Sequence, residues 1–361
     1  MKSVFSNGKK NATPRERVLQ ALRFETADMV PWQVEFTHGA RRRMADFLGD
    51  PGFEARIGNH LAKLSHRKIG LEEVVKPGYV RDEWGVVWNR TMDEDIGMTA
   101  NCVLDSRSLK GYRVPDPNPL RLRERYKRFT EENGFLFRMA SMAFTLFERA
   151  WSLRGMDDLL VDMLEAPEFV HELLDRILDF NMAQLEVALE HDIDCVFFGD
   201  DWGGQRGLIM GPNLWHEFIR PRAQVMYQRV RRSGKLVMIH CCGDVRILLP
   251  ELVEMGVDVF NPFQPETMDV FATKQSFQGR LSFYGGISVQ HLLPHGTREE
   301  VSEETGRLLS TLGLGGGYIA APSHSVPVDV PPENIVAMLD VLQHQKPTEN
   351  PAGAAEPEKG L

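Results

Sequence analysis

The stretch Lys235-Leu236-Val237-Met238-Ile239-His240-Cys241-Cys242-Gly243-Asp244 indicates how this chain folds. Its apolar first half predicts a buried β-strand, and a helical pattern follows Gly243. An imidazole and two thiols therefore stand at the C-terminal end of a strand, which in an α/β barrel is where catalytic residues lie. Residues two apart in an extended segment face the same side, so His240 and Cys242 would bind one metal ion while Cys241 faces away.

Strand and helix patterns alternate on both sides of this stretch. The predicted strands are 29–36, 195–198, 236–242, 257–263, 281–287 and 317–322, and the predicted helices are 14–24, 212–232, 245–255, 298–312 and 332–342. This alternation indicates parallel βαβ units. A doubly wound sheet is the alternative, but no G-x-G-x-x-G motif follows an early strand, and residues suited to chemistry recur at most strand ends. The sequence therefore predicts an α/β fold, a (β/α)8 TIM-type barrel.

The regular order is interrupted in residues 80–135, which predict a segment inserted over the barrel mouth. We expect residues 1–12 and 345–361 to be disordered, because the tail is rich in Pro, Glu, Ala and Gly and offers little apolar surface to bury. Residues 13–344 would then form a single catalytic barrel domain. Barrels of roughly 250 residues reach such lengths through insertions.

Composition limits the possible partners and compartment. The net charge of −9 and the absence of a basic cluster interleaved with aromatic residues argue against nucleic acid as a partner. Four irregularly spaced cysteines do not form a disulfide framework, which favours a reducing cytoplasm. We find no signal peptide, and no run of about 18 apolar residues that would span a membrane. The expected protein is cytoplasmic, and a homodimer is possible because dimers are the commonest soluble assembly.

Several short motifs along the chain are each weak evidence alone, but their number and order together are specific. They are Thr13-Pro14-Arg15-Glu16-Arg17-Val18, Pro31, Asp82-Glu83-Trp84-Gly85, Phe147-Glu148-Arg149, Gly199-Asp200-Asp201-Trp202-Gly203, His240-Cys241-Cys242-Gly243-Asp244, Asn261-Pro262-Phe263-Gln264, Gly285-Gly286-Ile287, Gly316-Gly317-Tyr318-Ile319, Pro322-Ser323-His324 and Pro332-Glu333-Asn334. Together they resemble the uroporphyrinogen decarboxylase superfamily, especially its cobalamin (corrinoid) methyltransferase-like branch. The resemblance implies a distorted TIM barrel with its site at the C-terminal ends of the strands.

The resemblance leaves two chemistries to compare. The decarboxylases carry an arginine-rich segment of the kind R-x-x-G-R-Y after the first strand and need no metal, whereas this chain has an acid, Glu35, within Trp32-Gln33-Val34-Glu35-Phe36-Thr37-His38. A substrate with many carboxylates would require a basic cleft, but Glu35, Asp200 and Asp201 are expected at the mouth. The methyltransferase branch therefore resembles this chain better.

The same branch binds zinc with an H-x-C pair and a further ligand at the end of the last strand. His240 and Cys242 match the pair, and His324 occupies the last position, where the methylthiol- and methanol-associated members have Cys. A catalytic zinc needs about three protein ligands, so either His324 or Glu148 would supply the third. Alternatively, Glu148 pairs with Arg149 or Arg154, His324 binds substrate only, and the buried Cys and His are packing residues.

The resulting expectation is a zinc-dependent methyltransferase that moves a methyl group from a small methoxylated, aromatic substrate to a corrinoid protein. The chain has no D-x-H-x-x-G stretch, so the cobalamin would be carried by a partner. The candidate catalytic residues are Asp200, Asp201 and His324, and either aspartate would serve as general acid, as an anchor for His240 or as a helix N-cap. The candidate substrate-binding residues are Trp32, Glu35, Phe144, Trp202 and Gln264, with Trp84, Trp151 and His295 as further possibilities. A metal-free decarboxylase and a non-catalytic binding barrel are the alternatives.

Overall fold

Seven parallel strands form the central sheet of the computed structural model, which describes residues 12–66 and 72–345. In spatial order they are β1 (Leu61–Ser65), β6 (Phe137–Ala143), β7 (Cys195–Gly199), β10 (Leu236–His240), β11 (Val259–Phe263), β12 (Ser282–Ile287) and β13 (Tyr318–Pro322). The short strands β8 (Gly203–Gly204) and β9 (Gly207–Leu208) pair with each other after β7. Strands β7, β11, β12 and β13 are buried at every residue, as expected for parallel strands covered on both faces. The strands predicted from residue 195 onward are thereby confirmed.

The predicted strand 29–36 is an extended segment with isolated bridges rather than a continuous ladder. Trp32 and Phe36 form single parallel bridges to Ala320 and Val326, beside β13. Pro31 has no N–H to donate, and the Asn59 side chain bonds both the N–H and the carbonyl of Val34, at 2.9 and 3.0 Å. These local bonds replace strand pairing at Val34, while the backbone of the segment still bonds Ala320 and Val326. The described sheet therefore has seven strands where the sequence predicted a barrel of eight.

Helices cover the sheet between successive strands. They are α1 (Pro14–Leu22), α2 (His38–Leu48), α3 (Pro119–Glu132), α4 (Phe147–Arg154), α5 (Met156–Glu165), α6 (Pro167–Leu189), α7 (Gly211–Leu214), α8 (Arg220–Arg232), α9 (Leu249–Glu254), α10 (Val270–Ser276), α11 (Leu292–His295), α12 (Arg298–Leu312) and α13 (Pro332–Gln343). Helix α1 begins at a capping box in which the side chains of Thr13 and Glu16 bond each other's backbone N–H. Within the described ranges, no helix combines the length and the apolarity that a membrane span requires.

Two predicted helices are interrupted. The helix predicted at 212–232 is divided into α7, a π-helical turn at Trp215–Ile219 and α8, where Pro221 cannot donate the backbone bond that would continue the α-helix. The helix predicted at 245–255 is a 3₁₀ turn at Arg246–Leu248 followed by the short helix α9. In both places a proline follows the break closely.

The insertion is a small antiparallel sheet that begins before the predicted segment 80–135 and ends well within it. Its strands are β2 (Glu73–Lys76), β3 (Tyr79–Arg81), β4 (Val87–Asn89) and β5 (Met98–Thr99), whereas helix α3 packs against α6 as part of the main fold. Ile96, between β4 and β5, lines the central cavity described below. The insertion therefore reaches the end of the main sheet at which the candidate site lies.

The ends of the chain bear on the disorder predicted for 1–12 and 345–361. Residues 1–11 and 346–361 lie outside the described residues. Gln345, however, is held in place, because its side-chain amide bonds both the N–H and the carbonyl of Val30, each at 2.9 Å. The folded part therefore extends one residue beyond the predicted boundary at 344.

Candidate metal centre

His240, Cys242 and His324 meet at the C-terminal ends of β10 and β13. One ligand atom from each lies within 4.8 Å of the other two. The Sγ atom of Cys242 is 3.3 Å from Nε2 of His240, and the two imidazole rings are 5.7 Å apart between centroids. Cys241 faces away as predicted: it is buried, and its Sγ accepts the backbone N–H of Trp202 at 3.1 Å. The alternation along the strand thus brings the H-x-C pair to one side.

Asn261 orients His240. Its Nδ2 donates to the carbonyl of Tyr284 at 3.0 Å, so its Oδ1 is the atom that faces Nδ1 of His240, at 2.6 Å. An amide oxygen only accepts hydrogen bonds, so Nδ1 of His240 must carry the proton and Nε2 keeps its lone pair. That lone pair is on the nitrogen next to Cys242. Such a partner on the second ring nitrogen is typical of metal-binding histidines.

The donor types fit a zinc ion. Two imidazoles and one thiolate form the three-ligand set of a catalytic zinc site, with a fourth position left for substrate. Burial, together with the nearby charge of Asp201, raises the pKa of the Cys242 thiol. A divalent cation counteracts this effect, because a thiol that binds a metal is deprotonated. Burial also lowers the pKa of His324, and the neighbouring His240 lowers it further, which favours the neutral form that binds metals.

Glu148, the other candidate for the third ligand, lies near this cluster but outside the three-residue group. Its side chain lines the cavity, and its charge contributes to the raised pKa of Cys242. Arg149 and Arg154, which the sequence offered as its partners, bond Asp82 at 2.9 Å and Asp162 at 2.7 Å, respectively. The geometry therefore favours His324 over Glu148 as the third ligand.

The loops that follow β7 and β10 touch through glycine. A Cβ atom added to Gly243 would lie 2.4 Å from the carbonyl carbon of Gly203, and Gly243 has a φ of +84°. Asp201, two residues before Gly203, accepts the backbone N–H of Cys242 at 2.8 Å. The backbone of the Cys242 loop is thereby held against the end of β7.

A cavity of about 220 Å³ adjoins the candidate metal centre formed by His240, Cys242 and His324. Phe144, Phe197 and Tyr284 supply its aromatic surface. The predicted site residues that line it are Glu35, Phe144, Glu148, Asp201, His240 and His324. A neighbouring, more open groove of about 660 Å³ is lined by Cys242 and Gln264. His324 lines both spaces, so the candidate metal centre lies between the inner cavity and the outer groove.

Asp200 is placed outside both spaces, under the first turn of α4. Its carboxylate accepts the backbone N–H groups of Leu146, Phe147 and Glu148 and the indole N–H of Trp202, at 2.7 to 3.3 Å. Burial raises its pKa to about 6, although these hydrogen bonds oppose the rise. Asp200 therefore satisfies the first N–H groups of α4 from a neighbouring strand end, although it is not itself the N-cap residue of a helix.

The tryptophans do not form the aromatic pocket that the sequence suggested. Trp32 is buried and packs edge-on against His60, with the ring centroids 4.1 Å apart, and Trp202 packs against Trp215. Neither lines the inner cavity or the outer groove, nor do Trp84 and Trp151. His295 borders a separate hollow beside α11 and α12. Large indole side chains serve here mainly as core, which is their usual role.

Sequence reasoning missed several residues of the site. They are Gln33, Lys63, Ser141, Phe197 and Tyr284, which line the cavity, together with Asn261 in its role of orienting His240. Strand β1 was not predicted, because Leu61-Ala62-Lys63-Leu64-Ser65 is too short and mixed to indicate a buried strand. Tyr284 and Asn261 do carry a signal: each is a polar group inside a predicted buried strand, where polar groups need a partner.

Comparison with known proteins identifies the family. The family model described as uroporphyrinogen decarboxylase (URO-D) matches residues 126–345, more than half of the chain. The chain belongs to the uroporphyrinogen decarboxylase family. Among solved structures, a methyltransferase from Methanosarcina mazei matches 92% of this chain and 98% of its own, with a TM-score of 0.68 and 17% identity. This likeness shows that the URO-D family chain shares the fold of that protein.

The curated relatives come from both branches of the URO-D family. The methylcobamide:CoM methyltransferase of Methanosarcina acetivorans is 22% identical over 345 residues, covering 92% of this chain and 98% of the relative. The methylated-thiol–coenzyme M methyltransferase of M. mazei is 24% identical over 193 residues, and the match covers 54% of this chain and 49% of that protein. A uroporphyrinogen decarboxylase of Legionella pneumophila is 24% identical over 181 residues, 50% of this chain and 49% of the relative. The resemblance to the methyltransferase-like branch is confirmed.

Proposed function

We propose that this chain is a zinc-dependent methyltransferase that moves a methyl group from a small methoxylated substrate to a corrinoid protein. The observation that carries the proposal is the group His240, Cys242 and His324, whose ligand atoms converge beside a cavity of small-molecule size. The full-length similarity to a methylcobamide:CoM methyltransferase supports the same reaction class. We also propose that segment 31–36 stands in for the eighth strand of a (β/α)8 barrel, since its backbone bonds β13.

The residues of the site divide the chemistry between them. Zinc bound by the three ligands would act as a Lewis acid on the oxygen that carries the methyl group. When the O–CH₃ bond breaks, the methyl group leaves for the corrinoid partner and the oxygen keeps the bonding pair. We assign the proton that this oxygen takes up to Asp201, which lines the cavity, with Oδ1 3.9 Å from Nε2 of His240. Phe144 and Phe197 would exclude water from the bound methoxy group.

The two spaces beside the cluster suit two reactants of different size. An engineered cavity of about 150 Å³ binds benzene, so the inner cavity of about 220 Å³ would take one substituted ring. A tetrapyrrole has four rings and exceeds the inner cavity, so only the outer groove would receive a ring system of that size. The outer groove of about 660 Å³ would receive the cobalamin of the partner, and His324 lines both spaces.

The proposal is tested by metal content and by methyl transfer. Purified protein should contain about one zinc per chain, and Cys242→Ser and His324→Ala should each lose most of it, because two ligands hold zinc weakly. Glu148→Gln should retain the metal. Cys241→Ser is the matched control, since this neighbouring thiol faces away from the cluster.

The activity assay would supply cob(I)alamin, free or on a corrinoid protein, with a panel of methoxylated aromatic and small aliphatic donors. Transfer that is lost together with zinc in Cys242→Ser would support the proposal. Metal-free wild-type protein would overturn it in favour of a decarboxylase or a non-catalytic barrel. Turnover of aliphatic donors alone would contradict the prediction of an aromatic substrate but would still support methyl transfer.

A further inference from the structure

Three buried side chains on the cavity wall have hydrogen-bond donors without partners among the described residues. Gln33, Ser141 and Tyr284 are 6%, 8% and 5% exposed, and all three line the cavity. Gln33 Oε1 accepts the backbone N–H of Leu61 at 3.2 Å, which leaves its Nε2 for another acceptor. No residue in the described part of the chain bonds Gln33 Nε2, Ser141 Oγ or Tyr284 Oη. These donors are accessible from the cavity, so a ligand that accepts hydrogen bonds would bind them there.

Lys63 adds a charged donor to the same wall. Its Nζ pairs with Oε2 of Glu35 at 2.5 Å, and both side chains are about 30% exposed, toward the cavity that they line. An ammonium group has three N–H donors, so two remain after this pair is formed. Burial and the nearby charge of Glu35 raise the pKa of Tyr284, so its hydroxyl keeps its proton and stays a donor. We call Gln33, Lys63, Ser141 and Tyr284 the donor wall.

We infer that the donor wall binds the carboxylate of the substrate, so that the methyl donor is a small methoxylated carboxylic acid. The inference rests on the proposed function, because it names the substrate class of the same site. A carboxylate offers about four lone-pair sites, which matches four donors, and its bond to an ammonium group is charge-assisted. Lys63 offsets the repulsion between Glu35 and the substrate carboxylate, because the Lys63–Glu35 ion pair has no net charge.

The size of the cavity narrows the class further. A volume of about 220 Å³ accommodates a single ring with its substituents. With the carboxylate on the donor wall and the methoxy oxygen at the metal cluster, the substrate would be held at two points. A neutral methoxylated ring would leave Lys63 and the other donors unmatched, which is the physical basis for discrimination.

Calorimetric binding to the protein as purified, with no corrinoid present, tests the inference. The ligands are 3,4-dimethoxybenzoate, its neutral methyl ester and 3,4-dimethoxybenzenesulfonate. We expect the benzoate to bind at least about tenfold more tightly than the ester, and Tyr284→Phe and Ser141→Ala each to weaken benzoate binding about tenfold, the loss expected for one hydrogen bond to a charged group. The ester should lose little affinity in either variant.

Ser282→Ala is the matched control. Ser282 is also a buried strand serine whose Oγ has no partner among the described residues, but it does not line the cavity. Its replacement should leave benzoate binding unchanged. Equal affinity for benzoate and ester, no binding of either, unchanged affinity in Tyr284→Phe and Ser141→Ala, or a preference for the sulfonate would each overturn the carboxylate assignment.

The carboxylate site and the proposed function can be contradicted independently of each other. Binding is measured without methyl transfer, so a failed preference for carboxylate leaves the zinc and corrinoid results intact. Conversely, protein that binds benzoate through the donor wall but contains no zinc would overturn the methyltransferase while the carboxylate site stands.

Discussion

Two adjacent aspartates show how position along one strand decides the role of a side chain. Asp200 and Asp201 follow β7 directly, and successive residues there face opposite sides. Asp201 faces the cavity and bonds the Cys242 loop, whereas Asp200 faces helix α4 and accepts its first N–H groups. Identical carboxylates are thus divided between the site and the structure that supports it.

Replacing each aspartate by asparagine should separate these roles. Asp200→Asn turns an amide N–H₂ toward backbone N–H donors, so the free energy of unfolding should fall by about 2–3 kcal/mol while zinc content is kept. Asp201→Asn should leave stability within about 0.5 kcal/mol but lower the rate of methyl transfer by about 10²-fold or more, as expected for loss of a general acid. Urea unfolding and single-turnover kinetics would measure both. The roles are reversed from our assignment if Asp200→Asn is the slow, stable variant.

At the level of residues, the sequence predicted the H-x-C pair because spacing alone determines which side chains share a face of a strand. It left the choice between Asp200 and Asp201 open, since a strand that ends at an unknown residue does not reveal which neighbour faces inward. The role of Asn261 was also beyond prediction, because it depends on an amide orientation fixed by the carbonyl of Tyr284.

Among the elements, the contact between the loops after β7 and β10 depends on glycine. Gly203 and Gly243 approach so closely that a side chain on either would meet the backbone of the other loop, at 2.4 Å in both cases. This contact fixes the position of Cys242 relative to Asp201. Cys242 is therefore positioned by backbone packing as well as by the hydrogen bond from its N–H to Asp201.

Alanine at Gly243 should be much more destabilising than alanine at Gly234. Both glycines have positive φ, +84° and +73°, but a Cβ at Gly234 meets nothing within 4 Å. Gly234→Ala should therefore cost about 1 kcal/mol for its backbone conformation alone. Gly243→Ala adds the collision and should cost about 2–4 kcal/mol and reduce zinc binding. Equal unfolding free energies for the two variants would show that the loops separate at little cost.

The elements that the sequence predicted least well are those interrupted by local chemistry. Periodicity indicated one helix over 212–232, but Pro221 lies inside it and a π-helical turn results. Strand 29–36 was predicted from apolar residues, yet Asn59 takes the backbone groups of Val34 that pairing would use. A hydrophobic pattern predicts burial, but it does not predict which group forms the hydrogen bonds of the backbone N–H and C=O.

At the scale of the whole molecule, one buried histidine joins three elements. His66, just after β1, is hydrogen-bonded through Nδ1 to Gln184 of α6 and through Nε2 to Tyr126 of α3. Burial lowers the pKa of His66 to about 4. The neutral imidazole is therefore the form that the fold stabilises.

This depressed pKa predicts loss of stability in mild acid. Because the unfolded chain binds a proton at His66 below pH 6.5 and the folded protein does so only near pH 4, the stabilisation is complete above pH 6.5 and declines as the pH falls. Between pH 7 and pH 5 we expect a loss of about 2 kcal/mol from this residue. Urea unfolding at both pH values would show a smaller loss in His66→Gln, whereas the exposed His295→Gln should behave like the wild type. An unchanged pH dependence in His66→Gln would contradict the assignment.

The overall architecture was more predictable than its details, because alternating strand and helix patterns need only correct order. The parallel sheet and the end at which the site lies follow from that order. The number of strands does not, since β1 and segment 31–36 have weak patterns and their pairing depends on contacts distant in sequence.

Because the insertion carries Ile96 to the cavity, the cavity surface can change in evolution separately from the candidate metal ligands. The proposed metal ligands come from the ends of β10 and β13, while part of the cavity surface comes from a loop of a separate small sheet. On the proposed function, descendants of one ancestral barrel would acquire new methyl donors by exchanging or reshaping the insertion, while His240, Cys242 and His324 stay unchanged. Related chains with the same H-x-C pair should diverge in substrate first in this lobe.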